Sequence, residues 1–209
     1  QILFNTVWLA LAAAALSTAL GTAGAIGIFY SRRRAAKPLQ AVSQIPVINA
    51  EIVTAISLAL LFSAVMLYRT YFSLLVGHMV LCTPFVVLSV LPKLKQMDSN
   101  TYEAALDLGA SPTQALFKVV LPQIFSGVVS GFMLSITLSL DDYIVTAFTK
   151  PPMFDTISTY VYNAVKNGTN NSTPALRALS ALIFVVMIAV LLVINLRARK
   201  PQAEKGARK

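Results

Sequence analysis

"SNTYEAALDLGASPTQALFKVVLP", residues 99–122, interrupts a chain otherwise made of long apolar runs. Asn100 stands three residues before Glu103, a capping-box spacing that opens a helix from about Thr101 to Leu108. Gly109 follows, the residue type that takes a left-handed conformation at a helix end. Ser111 and Gln114 repeat the box, and Pro112 occupies the first-turn position where a missing N–H does no harm. Tyr102, Ala105 and Leu106 form one apolar stripe, and Leu116, Phe117 and Val120 another. The stretch predicts helix, sharp turn, helix. A passive surface loop needs no such definition; a lever that docks against another protein does.

The surroundings say what the lever is attached to. Of 209 residues, 56% are hydrophobic and only 12% charged, with a mean hydropathy of +0.71. A soluble domain of this length cannot hide that much apolar surface behind so few charges. A helix needs about 20 residues to cross a hydrocarbon core. Five runs are predicted to do so: about Leu3 to Tyr30, Pro46 to Leu67, Leu74 to Leu91, Ile124 to Phe148 and Leu176 to Leu196. Continuous apolar runs interspersed with Gly and Ala fit helices rather than barrel strands, which would alternate. Gly21, Gly24 and Gly27, and Gly127 with Gly131, suit close helix contact, or are simply tolerated in a membrane helix.

The net charge of +9 invites a nucleic-acid reading, but position argues against it. Thirteen of the 17 Lys and Arg residues fall in "SRRRAAK" (residues 31–37), at Lys93, Lys95 and Lys118, and in the tail "RARKPQAEKGARK" at 197–209. The alternate loops hold only Arg69, Lys150, Lys166 and Arg177. This is the positive-inside pattern, so the basic loops and the C-terminus are expected on the cytoplasmic side. Five spans ending there would put Gln1 outside, so an upstream segment, another membrane helix, is expected to precede it. The single cysteine, Cys82, leaves the redox compartment open.

Between about Thr149 and Pro174 lies an external segment. Pro151 and Pro152 end the helix before it, and Ser158 to Lys166 is predicted to form a short surface helix, closed by Gly168 and an Asn-rich turn. Asn167, Asn170 and Asn171 are formal glycosylation sequons, which would mean nothing in a bacterial protein and carry little weight.

"EAALDLGA" followed by "LFKVVLP" resembles the EAA loop of type I ABC importer permeases, the binding-protein-dependent family. The match places Glu103, Ala104, Ala105, Gly109, Leu121 and Pro122 on that motif. "GHMVLCTPFVVLSV", "LSLDDYIVTAFT", "PVINAEIVTAISLALLF" and "ISTYVYNAVKNG" are similar to the spermidine/putrescine branch, specifically its C-type subunit. Together they cover nearly the whole chain. The Asn-rich turn departs slightly, while the Pro-x-x-x-Ala-Leu feature survives as Pro174 to Leu179.

The resemblance implies one all-α transmembrane permease domain over residues 1–209, with the family's usual first helix absent. Its coupling loop would span about 98–122 and its cytoplasmic basic tail 197–209. It further implies a polyamine importer of the inner membrane, made with a second permease subunit, two ATP-binding subunits and an extracytoplasmic substrate-binding protein. The chain itself would be non-catalytic and without cofactor, ATP and Mg being held by the ATPase partners. In agreement, the sequence has no Walker-type Gly-rich Lys-Ser/Thr segment, no His-Glu-x-x-His pair and no Gly-x-Ser-x-Gly elbow. A sibling importer for another solute, such as thiamine or an oxyanion, is the alternative; a passive channel would have no use for the lever.

Asp141 and Asp142 follow an apolar run, and ionisable groups at membrane depth are costly. Adjacent helical residues diverge by about 100°, so one can face a pathway and the other a partner helix or backbone. Two readings stay open: cation handling in a substrate pathway together with Tyr143, or structural acids capping or pairing at the external mouth. Tyr143, Tyr160 and Tyr162 are read first as interfacial anchors and second as aromatic contacts for a cation. Glu51 is read as a membrane-edge residue near cytoplasmic headgroups. His78 and Cys82, one turn apart, make two metal ligands without a third, so His78 is read as packed.

Overall fold

The computed structural model describes residues 1–98 and 100–166, with Pro174, Ala178, Ala181 and Val185 beyond, and excludes the side chain of Arg33. The expected fifth span (176–196), the basic tail, the sequons and most of the Pro174 to Leu179 feature lie outside the described residues. The chain divides into two compact units, 1–156 and 157–209. All regular structure among the described residues is helical.

In the first unit, α1 (Ile2–Tyr30), α4 (Tyr71–Gln96) and α7 (Leu121–Asp141) are long and pack on one another. Each is long and apolar enough to cross a membrane, α7 together with the turn that leads into it. Their outward residues stay apolar as well: Phe4, Trp8 and Leu20 of α1 are exposed, as a lipid-facing surface requires. Inside, Ala25 and Ile28 of α1 meet Val86, Val87, Val90 and Leu94 of α4 and Ile124 of α7. Val86 of α4 faces a glycine on each of the other two helices. A Cβ on Gly21 would lie 2.6 Å from the Val86 Cβ, and one on Gly131 3.2 Å from its Cα. Those glycines are contact residues, whereas Gly24 and Gly27 face ordinary or open space.

Two of the expected spans are broken. The second expected span begins earlier than Pro46 and is interrupted. Pro46 lies inside α2 (Arg33–Ile48), and α3 (Glu51–Ala64) follows after a bend of 101°. The two halves together are apolar enough for one span. Pro46 cannot donate to the helical ladder, and Asn49 and Ala50 turn extended, with the Asn49 side-chain amide donating to Thr54 Oγ1 (3.3 Å). The chain then reverses through 65–70, where Met66 and Arg69 take positive φ, and Thr70 with Ser73 forms a capping box that starts α4.

The fourth expected span, Ile124 to Phe148, is broken at Asp142 and Tyr143. α7 stops at Asp141 and α8 (Ile144–Thr149) begins anew. The Asp142 carboxylate accepts the backbone N–H groups of Val145 (3.1 Å) and Thr146 (2.8 Å), the role of an N-cap. α9 (Ile157–Lys166), the predicted short helix, belongs to the second unit; Tyr160 and Tyr162 are exposed on it.

Candidate functional site

The segment expected to act as a lever is built as a helix, a glycine turn and a second helix. α5 spans Asn100–Asp107 and α6 spans Pro112–Ala115. The first cap differs from expectation. Asn100 is already helical, and its N–H donates to Asp98 Oδ1 (3.0 Å), so Glu103 is not tied to it and stands exposed in the first turn. Acidic Asp98 does the same electrostatic work two residues earlier. The second cap is as expected: Ser111 Oγ accepts from Gln114 N (3.3 Å), and Gln114 Oε1 accepts from Ser111 N (3.2 Å).

Gly109 joins the two helices at φ +86°. Its N–H donates to Leu106 O (2.9 Å) and the Ala110 N–H to Ala105 O (3.0 Å), the paired bonds of a Schellman motif. Only a residue at ease with positive φ closes both. Of the motif residues, Glu103, Ala104, Gly109 and Pro122 are exposed, and Ala105 and Leu121 half-buried. Leu108 (89% exposed) and Phe117 (65%) leave apolar surface uncovered, so Phe117 does not share the stripe expected with Leu116 and Val120. A π-helical turn, Leu116–Val120, joins α6 to α7. Pro122, with no N–H to offer the preceding carbonyls, sits just beyond it. Tyr102 anchors the lever to the bundle: its ring lies 5.1 Å from that of Tyr30, at the end of α1.

The second region is a cavity of about 530 Å³ lined by both sides of both helix breaks. Asn49, Glu51 and Thr54 reach it from the break before α3, and Asp141, Asp142 and Tyr143 from the break after α7. Leu81 and Phe85 of α4 form part of the wall. At about 1.5 Å per residue they lie roughly 15 and 21 Å from Tyr71, near the middle of a helix about 39 Å long. Discontinuous helices meeting at such a depth are how transporters bring polar backbone and charge to a pathway. Glu51 is within electrostatic reach of both aspartates and beside Asp142. It is therefore not an isolated membrane-edge residue: the bend before α3 carries it inward.

Both aspartates line the cavity but differ in burial, Asp142 having left the helix at ψ 126°. Asp141 is exposed to the cavity at the C-terminal end of α7, where a carboxylate is disfavoured by the helix dipole. Asp142 is buried and multiply bonded. Besides the two backbone N–H groups, its Oδ2 accepts from Thr146 Oγ1 (2.7 Å). His78, fully buried on α4, approaches the same oxygen at 3.5 Å; its Nε2 lies 3.0 Å from Thr146 Oγ1 and its Nδ1 2.8 Å from Ser139 Oγ. His78 is packed, as read, but inside a polar network rather than among apolar side chains. A signal for that network was available. Ser135, Ser139, Asp142 and Thr146 recur every three or four residues through an apolar run, one polar stripe on one helical face.

Comparison with known proteins accords with this architecture. Residues 17–199 match the family model described as "Binding-protein-dependent transport system inner membrane component". The spermidine/putrescine transport system permease protein PotC of Haemophilus influenzae is 34% identical over 200 residues, covering 96% of this chain and 77% of that protein. PotC of Escherichia coli K12 is 32% identical over 195 residues, covering 93% and 73%. The putrescine transport system permease protein PotI of the same strain is 31% identical over 182 residues, covering 84% and 64%. A chain of membrane-length helices matched over most of its length in this way is a multi-pass inner-membrane transport permease, and it belongs to the family of binding-protein-dependent transport system inner membrane components.

Proposed function

We propose that this chain is one of two permease subunits of an ATP-driven polyamine importer. In this reading the segment from Asn100 to Lys118 is the coupling lever, seated on the cytoplasmic side in a groove of a partner ATPase. Glu103, Ala104, Ala105 and Gly109 form its working part, and Leu121 with Pro122 joins it to α7. Support comes from the rigid Schellman turn at Gly109 and from the exposed Leu108 and Phe117. ATP-driven closure of two ATPase subunits moves the lever, and α7 carries the motion to the cavity as a rigid-body shift. An extracytoplasmic binding protein delivers the solute.

The observation that carries the polyamine reading is the convergence of Glu51, Asp141 and Asp142 on one cavity with no lysine or arginine among the described residues that line it. A carboxylate about 4 Å from an ammonium gains about 4 kcal/mol at an effective dielectric constant near 20. A flexible chain of several ammonium groups can satisfy such carboxylates in turn. The exposed carboxylate and last carbonyls of α7 both favour a cation at Asp141. Tyr143, on the same wall, offers an aromatic face. An oxyanion would meet repulsion in this cavity.

The test is uptake by the reconstituted complex, using binding proteins loaded with spermidine, putrescine, thiamine or phosphate. ATP-dependent spermidine or putrescine uptake that falls in Glu51→Gln and Asp141→Asn supports the reading. Uptake of thiamine or phosphate alone would replace polyamines with a sibling solute. Uptake that persists without ATP hydrolysis would make the assembly a channel.

A further inference from the structure

His78 is the one histidine of the chain, and the cavity does not use it: it is absent from the cavity lining and has no exposed surface. Its partners nonetheless define the cavity. Ser139 belongs to α7 and Thr146 to α8, so one imidazole on a third helix, α4, grips both sides of the break that presents Asp141 and Asp142.

The donors and acceptors run in one direction. The Asp142 oxygens accept from the backbone N–H groups of Val145 and Thr146, and Oδ2 also accepts the Thr146 hydroxyl proton. The Thr146 oxygen then has a lone pair for His78 Nε2–H, and Nδ1 accepts the hydroxyl proton of Ser139. Every polar atom of His78 and Thr146 is thereby matched in a fully buried place, where a missing partner is costly. Without the splint, winding α7 one residue further would turn the Asp142 side chain by about 100° about the helix axis.

We propose that His78 is a positioning residue for cation passage. Through Thr146 it fixes the Asp142 carboxylate and holds open the α7–α8 break that delivers Asp141 to the cavity. This rests on the reading of the cavity as a cation pathway. His78 touches no substrate; it sets the place of the groups that do.

The experiment uses the complete importer in vesicles with saturating spermidine-loaded binding protein, and reads spermidine taken up per ATP hydrolysed. That ratio isolates acceptance of the cation from the amount of folded complex. Thr146→Val keeps the side-chain shape and removes the hydroxyl; Thr146→Ser restores it. The ratio is expected to fall roughly tenfold in Thr146→Val and to stay within about twofold of wild type in Thr146→Ser, as for a hydrogen bond to a charged group. His78→Leu should match Thr146→Val, and the double variant should fall no further, because both changes cut one chain. Should His78→Leu fail to assemble, Ser139→Ala, which removes the hydroxyl bonded to His78 Nδ1 and leaves the Thr146–Asp142 bond in place, stands in for it and should lower the ratio in the same direction; a wild-type ratio there overturns the proposal. A wild-type ratio in Thr146→Val, or effects of the two variants that multiply, overturns the proposal. Glu51→Gln and Asp141→Asn run alongside. If they lower the ratio while Thr146→Val does not, the positioning role is lost and the cavity reading stands. If both leave it unchanged, the cavity reading fails and the proposal with it.

Discussion

Replacing Gly109 tests the lever through backbone geometry alone. At φ +86° any L side chain is strained, by roughly 1–2 kcal/mol for alanine. A Cβ added there meets nothing within 4 Å, so crowding within the subunit contributes nothing. The whole cost falls on the Schellman turn, and about 1 kcal/mol lowers the closed-to-open ratio of the turn roughly fivefold. Asparagine, which tolerates the left-handed region, should lose less than alanine. Proline should lose most, since its ring fixes φ near −65° and it cannot supply the N–H that Gly109 donates to Leu106 O. If the lever is the seat of the ATPase, only the closed turn binds it. The ATPase-subunit concentration giving half-maximal uptake should then rise for alanine, by up to about fivefold for each 1 kcal/mol of strain, less for asparagine and most for proline. Asparagine worse than alanine, or an equal loss in all three, would refute the strain argument; equal loss would mean a partner surface pressed against Gly109 itself.

Two further outcomes follow from the packing. Gly21→Ala should lower the thermal stability of the purified complex by about 1–3 kcal/mol of overpacking, measured as loss of activity on heating. Val86→Ala removes the Cγ1 at 2.8 Å but should not restore full stability, because it keeps the Val86 Cβ at 2.6 Å and the backbone oxygen of Thr83 at 3.0 Å. Tyr102→Ala should free the lever from Tyr30 and raise ATP hydrolysed per solute moved, from the loss of a ring contact worth about 0.5–1.5 kcal/mol. Tyr102→Phe, which keeps the ring 5.1 Å from Tyr30, should behave as wild type.

How far the molecule could be read in advance depended on whether the determinants were local. α1 and α4 start and stop within a few residues of their apolar runs, because hydropathy and length decide a span. The Ser111–Gln114 box and the Gly109 turn were legible because each is complete within a few residues. The break after Asp141 was not, since an apolar run looks continuous until a distant group stabilises its interruption. Here that group is His78, 61 residues from Ser139 and 68 from Thr146. Glu51 was misplaced for the same reason. Its charge could be read from the sequence, but the 101° bend that turns it toward Asp141 and Asp142 is a tertiary fact. Asn100 lost its capping role to Asp98, a competition between two good caps that composition does not rank.

The most direct measurement uses a cysteine in place of Leu108, which is 89% exposed at the turn. Cys82, the sole native thiol, is buried, so one introduced thiol reports alone. In intact cells an impermeant thiol reagent outside the inner membrane should leave Leu108→Cys unlabelled, and in the purified importer it should crosslink to the ATPase subunit with a yield that changes through the nucleotide cycle. Labelling from outside, or a lever that never crosslinks to the ATPase during turnover, would contradict the account.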